Sequence, residues 1–93
     1  MTKKRTQYLY KFTGFILKKY QRKTPEYQQY FYQLKVNLAN SPLTKLFAFK
    51  DKAKSSVWNG LEADTYLGKN YLFSCRNFQG SYYLVNWEEV KDV

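Results

Sequence analysis

The sequence contains no histidine, a single cysteine (Cys75), 4 Gly and 2 Pro. Without histidine the commonest general base and the usual zinc ligand are missing, and the common hydrolytic triads cannot be assembled. One cysteine forms neither an intramolecular disulfide nor a thiolate metal cluster. A small chain without disulfides fits a reducing compartment, the cytoplasm or an organelle matrix. Acids are scarce, 7 Asp+Glu against 16 Lys+Arg. They stand singly except Glu88-Glu89, whose side chains point to opposite faces of any strand. No carboxylate pair is therefore set for acid–base work, and we expect no catalytic activity, no metal and no cofactor. No apolar run approaches the ~20 residues that span a bilayer. The basic start, Met1 to Arg5, leads into alternating aromatics and not into the apolar stretch of a signal peptide.

Aromatics are what the chain has in excess: 10 Tyr, 7 Phe and 2 Trp make up 20% of 93 residues. Disordered tails and Pro/Gly-rich linkers lack such content, and this length suits one domain, residues 1–93. The net charge of +9 calls for a densely anionic partner, nucleic acid or an anionic membrane. The charge is uneven. Residues 1–54 hold 13 Lys+Arg and 2 acids, whereas residues 55–93 hold 3 Lys+Arg and 5 acids. The first half should build most of the binding face.

Residues 7–19 (QYLYKFTGFILKK) read as a strand rich in Tyr, Phe, Ile and Leu. Tyr8, Tyr10, Phe12 and Ile16 share one parity, and Leu9, Phe15 and Leu17 the other. Gly14 falls where the pattern changes hand, as at a bulge or barrel corner. Residues 20–29 (YQRKTPEYQQ) read as a loop. YFYQLKVNL at 30–38 alternates cleanly, with Tyr30, Tyr32, Leu34, Val36 and Leu38 on one face. ANSP (39–42) is a tight turn and LTKLFAFK (43–50) a third strand. Ser55 and Ser56 are candidate N-caps for a helix over VWNGLEADTY, closed by Gly68-Lys69-Asn70. Strands at 70–76 and 81–87 follow, joined by the NFQG turn. The basic arm 1–6 and the acidic tail 88–93 flank the domain, and the tail is expected to fray.

Three strands, a short helix and a two-strand hairpin follow the order of the OB-fold. That fold is mainly β, a five-stranded Greek-key barrel with one helix between strands 3 and 4. An SH3-like barrel also has five short strands but normally carries no helix there. Between residues 30 and 87 the chain resembles minimal single-stranded-DNA-binding OB domains, such as bacterial SSB and the primosomal PriB proteins. In those families a basic, aromatic third strand precedes the helix, and a turn containing Gly and Lys or Arg enters strand four. LFAFKDKA and YLGKNYLF match both features, and YFYQLKV matches the preceding strand. The short ending EEVKDV departs from the long partner-recruiting tail of SSB, so the resemblance is closer to small accessory proteins of replication.

Sequence-tolerant binding of single strands needs cations that track phosphates and flat rings on which bases stack, each ring worth ~1–3 kcal/mol. One face of strand two offers Phe31, Gln33 and Lys35, and one face of strand three offers Lys45, Phe47 and Phe49. The resemblance implies that strands bind across this sheet face. Two orientations of strand three are open, because two Phe would also fill a core better than Leu46 plus Ala48. The segment 18–27 adds Lys18, Lys19, Tyr20, Arg22, Lys23 and Tyr27, and the last loop adds Arg76 and Phe78. Lys3, Lys4 and Arg5 form an electrostatic arm. Trp58, Tyr71, Phe73 and Trp87 are assigned to the core or a partner surface, and Cys75 to a small buried filler.

The leading expectation is a non-catalytic module for single-stranded DNA in replication or recombination, with RNA as a variant. Two alternatives belong to other classes. One is a small interaction subunit of a replication polymerase, primase or helicase, and the other is a basic component of an RNA particle. A membrane role is disfavoured, since no basic amphipathic helix is visible. Homodimers through strand edges or faces stay open.

Overall fold

Strict alternation of apolar and other residues in YFYQLKVNL produces the central strand of the protein. The computed structural model describes residues 9–91. The expected basic arm and the last two residues of the tail lie outside the described residues. Strand β2 (Tyr30–Leu38) buries Tyr32, Leu34, Val36 and Leu38 and turns Lys35 and Asn37 to water. Around it run β1 (Tyr10–Lys23), β3 (Lys45–Ala48), helix α1 (Ser55–Glu62), β4 (Asn70–Phe78) and β5 (Ser81–Val90). The strands close into a barrel in the order β1-β2-β3-β5-β4, with β4 returning to β1. All pairings are antiparallel except β3 with β5. This is the Greek-key OB-fold barrel, with its helix between β3 and β4.

Strand β1 serves two neighbours, and Gly14 sits where it changes partner. Gly14 is in register with Leu38 on one side and Tyr71 on the other. A Cβ there would collide with the carbonyl oxygen of Asn37, so only glycine permits this approach. The change of hand expected at Gly14 occurs three residues later. Ile16 pairs with Val36 and Lys18 with Lys35, which leaves Leu17 as the bulged residue. Before the bulge Gly14 and Ile16 are buried; after it, Lys19 turns inward and Lys18, Tyr20 and Arg22 turn out. The strand also continues to Lys23, so much of the expected loop at 20–29 is strand. Pairing with alternating β2 holds it extended, and the turn is confined to residues 24–29.

The core is filled from β2, β3, β4, β5 and the helix. Leu34, Leu46, Val57, Leu61, Phe73, Cys75 and Leu84 are fully enclosed, and each large apolar side chain so buried contributes roughly 1.5–3 kcal/mol. Leu46 and Ala48 point inward, which settles the orientation of β3. The N-cap residue of the helix is Lys54, not one of the serines. No side chain caps it, and the Lys54 amide instead donates to Val85 O of β5 at 2.9 Å. It ends at Glu62, so the ADTY segment expected on the helix lies outside it, and the turn around Gly68 is separated from the helix end. The final hairpin turns on Gln79 and Gly80, both with positive φ (53° and 85°), the geometry of a type I′ turn. Phe78 is therefore the last residue of β4 and not a turn tip. The expected fraying tail is, through Val90, a continuation of β5.

Candidate nucleic-acid interface

The bulge at Leu17 decides which side chains of β1 share a face with β2. Beyond it Lys18 lies opposite Lys35, Tyr20 opposite Gln33, and Arg22 opposite Phe31. On the other flank of β2, Gln33 is opposite Phe47 and Lys35 opposite Lys45. The parallel pairing of β3 with β5 sets Phe47 beside Tyr83, and Tyr83 in turn faces Arg76 of β4. The outer wall thus runs from β1 through β2 and β3 to β5, about 14 Å at ordinary strand spacing.

Four rings form its centre. Phe31 and Phe49 stack with centroids 4.6 Å apart and planes 14° from parallel. Phe47 lies 6.2 Å from Phe31 and 5.8 Å from Tyr83, and Phe49 lies 5.6 Å from Tyr83. All four rings are half-buried. Phe31 and Phe49 touch too closely to admit a base between them, so a base would stack on the outward side of the cluster. Such a contact removes apolar ring surface from water that the fold alone leaves wet.

A cleft borders the rings at each end. One, of about 350 Å³, is lined by Phe49, Lys52, Arg76, Asn77, Phe78, Tyr83 and Val85. The other, of about 380 Å³, is lined by Tyr20, Arg22, Gln33, Lys35, Thr44 and Lys45. Neither is lined by an acid. Within the second, Arg22 Nε donates to Gln33 Oε1 at 2.8 Å. Cations also lie over rings: Lys18 and Arg22 over Tyr20, at 5.2 and 5.8 Å, and Lys45 over Phe47 at 5.9 Å.

Three acids are engaged away from this wall. Glu62 accepts hydrogen bonds from the hydroxyls of Tyr30 (2.6 Å) and Tyr32 (3.3 Å). The Tyr30 bond holds the Glu62 carboxyl below its ordinary range, against the opposing effect of desolvation. Burial, reinforced by the Glu62 charge, pushes the Tyr32 hydroxyl up to about 12. Asp64 pairs with Lys19 Nζ at 2.9 Å and Glu89 with Lys69 at 3.9 Å.

The structure brings together Lys18, Tyr20, Arg22, Phe31, Gln33, Lys35, Lys45, Phe47, Phe49, Arg76 and Phe78, and leaves out three expected residues. Lys19 points to the helix side, where Nζ donates to Leu61 O (2.6 Å) and lies 4.7 Å from the Tyr32 ring centroid. Lys23 pairs with Tyr30, whose side chain serves Glu62. Tyr27 is 80% exposed in the turn after β1, separate from both clefts. Sequence reasoning missed Tyr83 and Lys52. Alternation around the enclosed Leu84 could have turned Tyr83 outward, but its place beside Phe47 depends on a parallel pairing. Cys75 is enclosed, and burial pushes its thiol up to about 12, as suits an inert filler. Among the described residues no group of three or more His, Cys, Asp or Glu converges, and no helix is long and apolar enough to cross a membrane.

Comparison with known proteins finds no family model, no curated protein and no solved structure that matches this chain.

Proposed function

We propose that this protein is a non-catalytic binding module for single-stranded nucleic acid, single-stranded DNA first, acting in replication or recombination. The observation that carries the reading is the ring cluster Phe31, Phe47, Phe49 and Tyr83 on the outside of the barrel, flanked by acid-free basic clefts. The rings pack on one another yet keep part of their surface in water, and that remaining surface is where bases can stack. Lysine and arginine around the rings supply phosphate contacts, which give affinity without sequence preference. The test is anisotropy titration of oligothymidylate, the equivalent RNA and duplex DNA at moderate salt. Single strands should bind tighter than duplex; duplex binding of equal strength would reduce the surface to a charge sponge.

A second reading, docking to a polymerase, primase or helicase, is favoured by a separate observation. Phe15 and Leu17 of β1 are 38% and 51% exposed, and shallow clefts flank them. None of the four rings lines these clefts, although Lys35 and Thr44 border both the Leu17 cleft and the basic one, so the two surfaces adjoin.

A further inference from the structure

Three lysines stand in a row across the outer wall. Register sets Lys18 of β1 opposite Lys35 of β2, and Lys35 opposite Lys45 of β3. Directly opposed residues have Cβ atoms ~4.5–5.5 Å apart, and like charges in that position destabilise a sheet. Among the described residues none of the three forms an ion pair. The row is completed by Arg22, whose Nε is fixed on Gln33 Oε1. That bond occupies the acceptor of the Gln33 amide and leaves its NH₂, with the terminal NH₂ groups of Arg22, for other partners. Arg22, Gln33, Lys35 and Lys45 line, with Tyr20 and Thr44, a cleft that is rich in donors and holds no carboxylate, and Lys18 stands beside it through its pairing with Lys35.

We propose that this cleft is a site for a phosphate group carrying two or more negative charges, a phosphomonoester at a strand end or pyrophosphate. A backbone diester brings one charge and leaves the lysine row strongly positive. A monoester brings nearly two at neutral pH, and pyrophosphate brings more. The anchored guanidinium offers the planar fork that binds phosphate oxygens in pairs. The strand-end form rests on the binding function proposed above. Arg22 lies opposite Phe31 and Gln33 opposite Phe47, so a terminal base on the rings has its phosphate beside the cleft.

The test uses the full chain, with pyrophosphate and oligothymidylates as probes. Pyrophosphate should raise the unfolding midpoint more than chloride at matched ionic strength. An oligothymidylate phosphorylated at one end should bind at least about fivefold tighter than its hydroxyl-ended form. Lys35→Gln removes the central charge from an exposed position; it should abolish both effects and raise the midpoint of the unliganded protein at low salt. A pyrophosphate shift with no gain from end phosphates assigns the site to free polyphosphate anions. No shift beyond chloride together with equal affinity for both oligonucleotides overturns the site and leaves the proposed function standing. Failure of every oligonucleotide to bind, with the pyrophosphate shift intact, overturns the proposed function and not the site.

Discussion

Truncation of Phe49 to alanine separates a binding ring from a core ring. Phe49 is half-buried on the outer wall, stacked on Phe31 at 4.6 Å and tilted against Tyr83 at 5.6 Å. Losing two ring pairs, at ~0.5–1.5 kcal/mol each, puts the folding cost at ~1–3 kcal/mol. For a domain of this size that lowers the melting temperature by ~5–20 °C. The loss of one stacked base costs ~1–3 kcal/mol of binding, or ~5–150-fold in Kd. The slope of log K against log salt should not change, since no charge is removed. Leu46→Ala supplies the contrast: Leu46 is fully enclosed, so truncation should cost ~2–5 kcal/mol of stability with no direct effect on binding. Circular dichroism melts and anisotropy at several salt concentrations read both quantities. Unchanged affinity of folded Phe49→Ala would refute the stacking argument, and a stability loss well above ~3 kcal/mol with affinity intact would be the behaviour of a core ring.

Lys18→Ala and Lys19→Ala should diverge although the residues are adjacent. The first should reduce the salt slope by about 0.7 and, by relieving the lysine row, raise and not lower the melting temperature at low salt, whereas the second should lower the melting temperature and leave the slope alone. Gly14→Ala should destabilise the barrel severely, as read by thermal melts, because the clash is with backbone and not with a flexible side chain. Acid and alkali should each weaken the fold through the Tyr30–Tyr32–Glu62 group. The depressed Glu62 contributes stability that is present above its unfolded value near 4.5 and lost as pH falls through its lower folded value. The raised Tyr32 contributes stability that is full below pH 10 and lost as pH rises towards about 12; Tyr32→Phe should lessen the alkaline loss in pH-dependent melts, the remainder coming from Tyr30, Tyr66, Tyr71 and Cys75, whose values are raised as well.

Where periodicity was strict, the fold was legible. Strand β2 has the boundaries its alternation predicts, and the order of strands and helix along the chain is itself enough to indicate the barrel. The face of β2 carrying Phe31, Gln33 and Lys35 follows from the same alternation. Parity after residue 16 was not legible, because ILKK contains neither glycine nor proline and its extra residue shows only against β2. The consequence fell on Lys18 and Lys19, two like cations that the bulge sends to opposite sides. Lys19 could not be excluded from the interface by sequence, since its partner Asp64 is 45 residues away. Serine caps were a reasonable expectation for the helix. The tertiary bond from Lys54 to Val85 took over the role of a side-chain cap. Tyr83 escaped notice for a related reason: its neighbour Phe47 belongs to a non-consecutive strand running parallel to its own.

Chemical-shift mapping of the labelled protein with a short oligothymidylate tests the central claim most directly, because it reports which rings meet the strand. The account predicts that the largest perturbations fall on the side chains of Phe31, Phe47, Phe49 and Tyr83, with backbone changes along the paired stretches of β2, β3 and β5. Perturbations concentrated at Phe15 and Leu17, or confined to lysines while the four rings stay unmoved, would contradict it.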